Sequence, residues 1–123
     1  HMLVNADLST TGMMHMSGAV RHALTLKTAN YSISLADSIV TFNAGSACTG
    51  TLPTIVAGQD GIVYTIKNIG AGQVRVIGSS SPAQNLDGQS TGLALDQGDC
   101  LQVYSFTVGS GYDWAVLNFY NAS

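Results

Sequence analysis

The clearest signal along the chain is an alternation of apolar and polar residues with a period of two. Tyr31-Ser32-Ile33-Ser34-Leu35 carries it, as does Ile62 to Ile69, where Ile62, Tyr64 and Ile66 fall on one face and Val63, Thr65 and Lys67 on the other. Such a period marks a strand with one face buried. Between these runs lie Ile39-Val40-Thr41-Phe42 and Cys48-Thr49-Gly50-Thr51-Leu52, the latter stopped by Pro53. Beyond Gly70-Ala71-Gly72, Val74-Arg75-Val76-Ile77 reads as the hairpin partner of the 62–69 strand. Asn85-Leu86-Asp87-Gly88 predicts a short strand ending in a tight turn, because Asp-Gly favours positive backbone angles. Leu93 and Leu95 alternate again. Leu101, Val103 and Ser105 then face one way and Gln102, Tyr104 and Phe106 the other, before Gly109-Ser110-Gly111 and a last strand over Tyr112–Phe119.

This pattern predicts about eight short antiparallel strands at intervals of about 8–12 residues, which is the spacing of an all-β sandwich or jelly roll. Residues 31–123 are expected to form that body and residues 1–30 a lead-in segment. Within the lead-in, Ala19 to Leu26 suits a helical turn or a strand equally well.

Composition then narrows the class. The 123 residues are enough for one core. Apolar types make up 46% and charged types only 9%, against roughly 25% charged in ordinary soluble domains. The hydrophobicity excludes a disordered chain, and a formal net charge of -3 argues against nucleic acid as a partner. No apolar run has the length of a membrane-spanning helix. So few charges suit a chain that buries much of its outside against copies of itself. His1-Met2 reads as a cloning remnant, which implies a longer parent chain. Cys48 and Cys100 belong to no CxxC or Cys/His cluster and are expected to be buried free thiols, not zinc ligands or a disulfide.

The order of the motifs carries a further signal. Tyr31-x-Ile33-x-Leu35-x-Asp37-x-x-Val40-x-Phe42-x-Ala44 is followed by Gly50-Thr51-Leu52-Pro53 and by Gly61-x-x-Tyr64-Thr65-Ile66-Lys67-Asn68. Val74-x-Val76-Ile77, Asn85-Leu86-Asp87-Gly88 and Gly111-Tyr112-Asp113-Trp114 continue the series. Over roughly residues 31–117 this resembles a recurrent module of bacteriophage tail fibres, tailspikes and tail needle tips. The resemblance implies a homotrimeric knob at the distal end of a virion appendage, assembled in the host cytoplasm. It also implies a structural role at the host cell surface, in contact with a polysaccharide or an outer-membrane protein. The segment Val103 to Trp114 is longer than in the usual module, which makes residues 107–113 a candidate tip.

Catalytic and metal chemistry find little support. His15 and His22 have only Asp7 near them in sequence, and no G-x-S-x-G marks a nucleophile elbow. Gly70-x-Gly72 lacks the third glycine of a dinucleotide loop. A glycoside hydrolase would need two carboxylates about 5–10 Å apart. Asp96 and Asp99 are the nearest pair, yet Asp37, Asp60, Asp87, Asp96, Asp99 and Asp113 all sit in Gly- or Ser-flanked turns, where Asp satisfies local backbone donors. No enzyme activity and no cofactor is expected. The alternatives are a monomeric carbohydrate-binding module and a polysaccharide-cleaving tailspike domain.

The binding candidates follow. Ile66, Tyr104, Phe106 and Trp114 are expected in the core or at the trimer interface, since aromatic residues dominate buried area in both. Met13, Met14 and Met16 suit packing along a trimer stalk. Lys67 and Arg75, placed on facing strands of the expected hairpin, are candidates for holding a small acidic ligand at a subunit boundary.

Overall fold

The computed structural model describes residues 11–122, so the readings of His1-Met2 and Asp7 lie outside the described residues. Within that range the chain is all-β, with nine strands and no helix. The strands are β1 (Leu24–Lys27), β2 (Tyr31–Ser32), β3 (Ile39–Phe42), β4 (Cys48–Thr51), β5 (Val63–Asn68), β6 (Val74–Ile77), β7 (Leu93–Leu95), β8 (Cys100–Val108) and β9 (Gly111–Tyr120). They form a five-stranded sheet in the order β1-β3-β5-β8-β9 and a four-stranded sheet in the order β2-β4-β6-β7.

The first six strands alternate between the two sheets, and every pairing among them is parallel. The chain therefore winds as a flattened coil, laying one strand on each sheet per turn. Antiparallel pairing begins only with β7 on β6, β8 on β5 and β9 on β8. This corrects the expectation of an antiparallel sandwich. In particular, β6 is not the hairpin partner of β5: it lies in the opposite sheet, beside β4. Gly70 and Gly72 explain the difference. Neither has a positive φ, as a tight hairpin would require. A Cβ on Gly72 would instead collide with the Ser46 backbone and one on Gly70 with the Ala44 backbone, so both residues let successive coils stack closely.

One continuous core lies between the sheets. Val40, Phe42, Tyr64, Ile66, Leu101, Val103 and Trp114 reach it from the five-stranded sheet, and Ile33, Cys48, Val74, Val76 and Leu95 from the other sheet or its approaches. The alternation read from the sequence places these faces correctly: β5 is buried at Tyr64, Ile66 and Asn68, and β8 at Leu101, Val103 and Ser105. Gly50 on β4 leaves room for the Phe42 ring, which a Cβ would approach to 2.9 Å.

β1 lies before residue 31, where the body was expected to begin, yet it is hydrogen-bonded along β3 from Leu24↔Ile39 to Lys27↔Phe42. The strand alternative for Ala19–Leu26 is therefore realised in its last three residues. Asn85–Gly88 is a turn joined to its surroundings by isolated bridges, with Asp87 and Gly88 both at positive φ, as the Asp-Gly pair predicts.

Candidate interaction surface

The parallel coil gives the molecule two distinct ends. The connections 33–38, 52–62 and 78–92 lie at one end together with the β8–β9 turn, and the chain enters β1 there; this is called the loop end. Connections 28–30, 43–47, 69–73 and 96–99 lie at the other.

The acidic residues hold these ends together. Asp37 accepts hydrogen bonds from Thr25 Oγ1 (2.6 Å), Tyr31 Oη (2.7 Å) and the Ser34 N–H (2.9 Å), linking the edges of both sheets. Burial by itself would raise its pKa, but these donors outweigh it and hold the carboxyl below the usual range. The Tyr31 phenol is raised in turn, chiefly by its bond to Asp37. Asp60 accepts from the Thr107 N–H and hydroxyl, Asp87 from the Val116 N–H, and Asp113 from the Asn85 N–H. Asp99 accepts from the Asp96 and Ala122 N–H groups, and Asp96 from Gln73 Nε2. All six of these acids are thus engaged, but only Asp37 and Asp99 serve a donor within their own turn. Asp60, Asp87, Asp96 and Asp113 staple segments distant in sequence, which corrects the expectation of purely local turn duty.

Two buried amides escaped the sequence reading. Asn68 donates to the carbonyls of Gly72 and Leu95 and accepts from the Gly70 N–H. Gln84 exchanges both bonds with the backbone of Ile55, as a strand residue would. Asn68 lies at the end of a strand and Gln84 beside Ala83 in a loop, and neither polar residue is marked as buried until the chain closes around it.

The six candidate residues separate into three pairs. Ile66 and Trp114 are fully buried core residues, and the Trp114 ring packs 5.5 Å from that of Tyr64. Tyr104 and Phe106 point the other way, onto the outer face of the five-stranded sheet, where their rings lie 6.0 Å apart. Lys67 and Arg75 are not brought together, because β5 and β6 belong to different sheets and each residue faces outward. Lys67 donates to the Gly98 carbonyl at 2.7 Å and lies near the Tyr120 ring. Arg75 donates to the Thr91 carbonyl and borders a polar hollow of about 320 Å³ with Asn30, Thr49 and Gln73. A ligand bridging the two cations within one chain is excluded by this placement.

The outer face of the five-stranded sheet is the most unusual surface of the chain. Register aligns Leu24 with Ile39 and Val63 with Tyr104 across it, with Leu26 and Phe106 completing the apolar positions. Leu24 is 69% exposed and Leu26 59%. From β1 to β8 the outward positions carry a single charge, Lys67. Five strands about 4.8 Å apart and about 20 Å long make a face of roughly 400 Å². Its apolar positions are interleaved with Thr41, Thr65, Lys67 and Gln102, so the face is sparsely charged and part apolar.

A second feature lies at the loop end. A groove of about 410 Å³ runs between residues 54–57, 82–84 and 110–112, with Ile55, Val56, Pro82 and Tyr112 among its walls. The expected tip at 107–113 forms one side of it. It is a hairpin paired as far as Val108↔Gly111, not an open loop.

Comparison with known protein families and with characterised proteins finds no match to this chain.

Proposed function

We propose that the chain is a virion structural protein, the homotrimeric distal knob of a phage tail fibre or tail needle, which contacts the host cell surface. The observation that carries this reading is the sparsely charged outer face of the five-stranded sheet, where Lys67 is the single charge from β1 to β8. A single chain gains nothing by displaying Leu24, Leu26 and Val63, and the half-buried Tyr104 and Phe106, to water, whereas closed rotational symmetry would bury them between copies. It also covers β1, an edge strand whose outer backbone groups would otherwise invite uncontrolled pairing. The choice of three copies comes from the resemblance of residues 31–117 to phage appendage tips.

Light scattering tests the reading directly. The purified chain is expected to run near three times its 12.7 kDa mass at micromolar concentration. Tyr104→Asp places a carboxylate in the buried interface and is expected to give a folded monomer, because Tyr104 contributes to no core packing. Ile66→Asp is expected to unfold the chain outright. A stable wild-type monomer would sink the trimeric knob.

The groove beside Tyr112 favours a second reading, a monomeric carbohydrate-binding module. An aromatic ring flanking an apolar cleft suits the face of a sugar ring. Binding of host-surface oligosaccharide by a 12.7 kDa monomer, lost in Tyr112→Ala, would establish it in place of the trimer.

A further inference from the structure

Arg75 stands on the outer face of the four-stranded sheet. Its guanidinium donates to the Thr91 carbonyl at 2.9 Å and pairs with no carboxylate among the described residues. Register sets Thr49 of β4 on one side of it and Ala94 of β7 on the other. Tyr31 pairs with Gly50, so Asn30 extends the same row by one strand, and its Oδ1 accepts from the Thr49 N–H at 2.8 Å. Gln73, two residues before Arg75, borders with them the hollow of about 320 Å³.

Arg75, Asn30 and Gln73 are each held by one bond and have polar atoms left over. Asn30, fixed through Oδ1, keeps its Nδ2 donors. Gln73, fixed through Nε2 on Asp96 Oδ1 at 2.9 Å, keeps Oε1 as an acceptor. Thr49 adds a hydroxyl that can donate or accept. A guanidinium has five N–H donors in a planar fork, one of which the Thr91 carbonyl takes. We infer that the hollow binds an acidic sugar: the carboxylate of a uronic-acid residue lies on the free edge of the Arg75 guanidinium, and its ring hydroxyls pair with Asn30, Thr49 and Gln73. The site is complete within one chain; that its ligand belongs to a surface polysaccharide rests on the host-contact reading.

The mixture of atoms discriminates among anions. A phosphate presents acceptor oxygens and would set them against Gln73 Oε1, with Asp96 just behind. A uronic acid carries one carboxylate with hydroxyls beside it, and so uses both the donors and the acceptor. The planar fork of arginine matches a carboxylate with two parallel bonds, and Ala94 is too small to cover that fork from the β7 side. The volume falls at the lower end of the roughly 300–1,000 Å³ of small-molecule sites, which suits a single ring. Because Asn30, Gln73 and Arg75 are already oriented by bonds within the chain, less side-chain freedom is lost when a ligand arrives.

The hollow is separate from the Tyr112 groove. Asn30, Thr49 and Gln73 lie toward the end of the coil opposite the loop end, and the two sites share no residue. The groove offers an apolar wall, whereas the hollow reads charge and hydroxyls. Its binding therefore weakens as salt is added.

Titration of the isotope-labelled chain with D-galacturonate, followed by NMR, tests the site. Resonances of Asn30, Thr49 and Arg75 are expected to shift. Affinity is expected to fall at least tenfold in Arg75→Gln, and to fall also in Arg75→Lys, which keeps the charge but not the fork. Thr49→Val removes the hydroxyl, keeps the backbone bond to Asn30 and is expected to lose affinity severalfold. D-Galactose, without the carboxylate, and acetate, without the ring, are each expected to bind at least tenfold more weakly than galacturonate. Arg21→Gln, which removes the same charge ahead of β1, is expected to change nothing; the same spectra report that each variant is folded. No shift with galacturonate, equal binding of galactose or acetate, or unchanged affinity in Arg75→Gln overturns the site. Light scattering reads assembly separately. A monomer that binds galacturonate upholds the hollow and sinks the trimeric knob, whereas a trimer that binds none overturns the hollow alone.

Discussion

Asp37 shows how one side chain substitutes for many contacts at an edge. It draws Thr25 of β1, Tyr31 of β2 and the Ser34 backbone onto a single carboxylate, so two sheets are clasped where neither has a further strand. Asp37→Asn replaces an acceptor by a donor facing donors and is expected to cost about 1–2 kcal/mol at pH 7 in urea unfolding. The pH dependence has a definite sign. Because the folded pKa is depressed, the stabilisation is complete above the unfolded value near 4 and is lost as pH falls through the folded value. The difference between wild type and Asp37→Asn is therefore expected to shrink below about pH 4. Tyr64 acts at the opposite extreme. Burial, helped by the charges of Asp37 and Tyr31, pushes its phenol up to about 12, while its hydroxyl donates to the Ser34 carbonyl. Its folded pKa exceeds the unfolded value near 10, so its contribution persists below pH 10 and disappears as pH rises toward 12. Tyr64→Phe is expected to lose about 1 kcal/mol at neutral pH and to flatten that alkaline decline, as measured by unfolding between pH 9 and 12.

At the scale of elements, the coil depends on how closely one turn lies on the next. The β5–β6 connection sits on the β3–β4 connection, with Gly72 against the Ser46 backbone and Asn68 tying β5 to the Gly72 and Leu95 carbonyls. Gly72→Ala has backbone, not a flexible side-chain tip, in its way, and is expected to destabilise by about 2–3 kcal/mol. Asn68→Ala leaves two carbonyls and the Gly70 N–H unpaired in a buried site and is expected to cost about 3 kcal/mol. Both are read by thermal or denaturant unfolding. A loss under 0.5 kcal/mol in either would mean that the coils are not locked at this end.

For the whole molecule, the two thiols report which surfaces are covered. Both are free, but they differ in setting: Cys48 points into the core, where burial raises its pKa, while Cys100 stands half-exposed in the outward row with Lys67 and Tyr120. Buried and protonated, Cys48 is expected to resist a thiol reagent until the protein unfolds. Cys100 is expected to react slowly in the wild-type assembly and at least tenfold faster in Tyr104→Asp, whose outer face would be open. Equal Cys100 rates in the two proteins would place the subunit contact on some other surface.

The strands themselves were legible in the sequence because a half-buried strand needs only its own alternation. Ile39–Phe42, Val74–Ile77 and the inward trio Leu101, Val103 and Ser105 follow from local pattern and solvent exposure alone. The duty of the acids was legible only where the donor is close at hand, at Asp37 with Ser34 and Asp99 with Asp96; the donors of Asp60, Asp87 and Asp113 lie 28 to 47 residues away and come near only in the fold. Pairing was not legible. A strand's side chains alternate identically whether its neighbour runs parallel or antiparallel, so Gly70-Ala71-Gly72 read as a hairpin until its glycines proved to be spacers between coils. That crossing moved Arg75 to the opposite sheet from Lys67 and dissolved the expected cation pair. Tyr104 and Phe106 lie on the face of β8 opposite that inward trio and are thereby separated from the core residues Ile66 and Trp114. Local periodicity determined where strands form; long-range hydrogen bonding and close backbone packing decided what they surround and what they leave exposed.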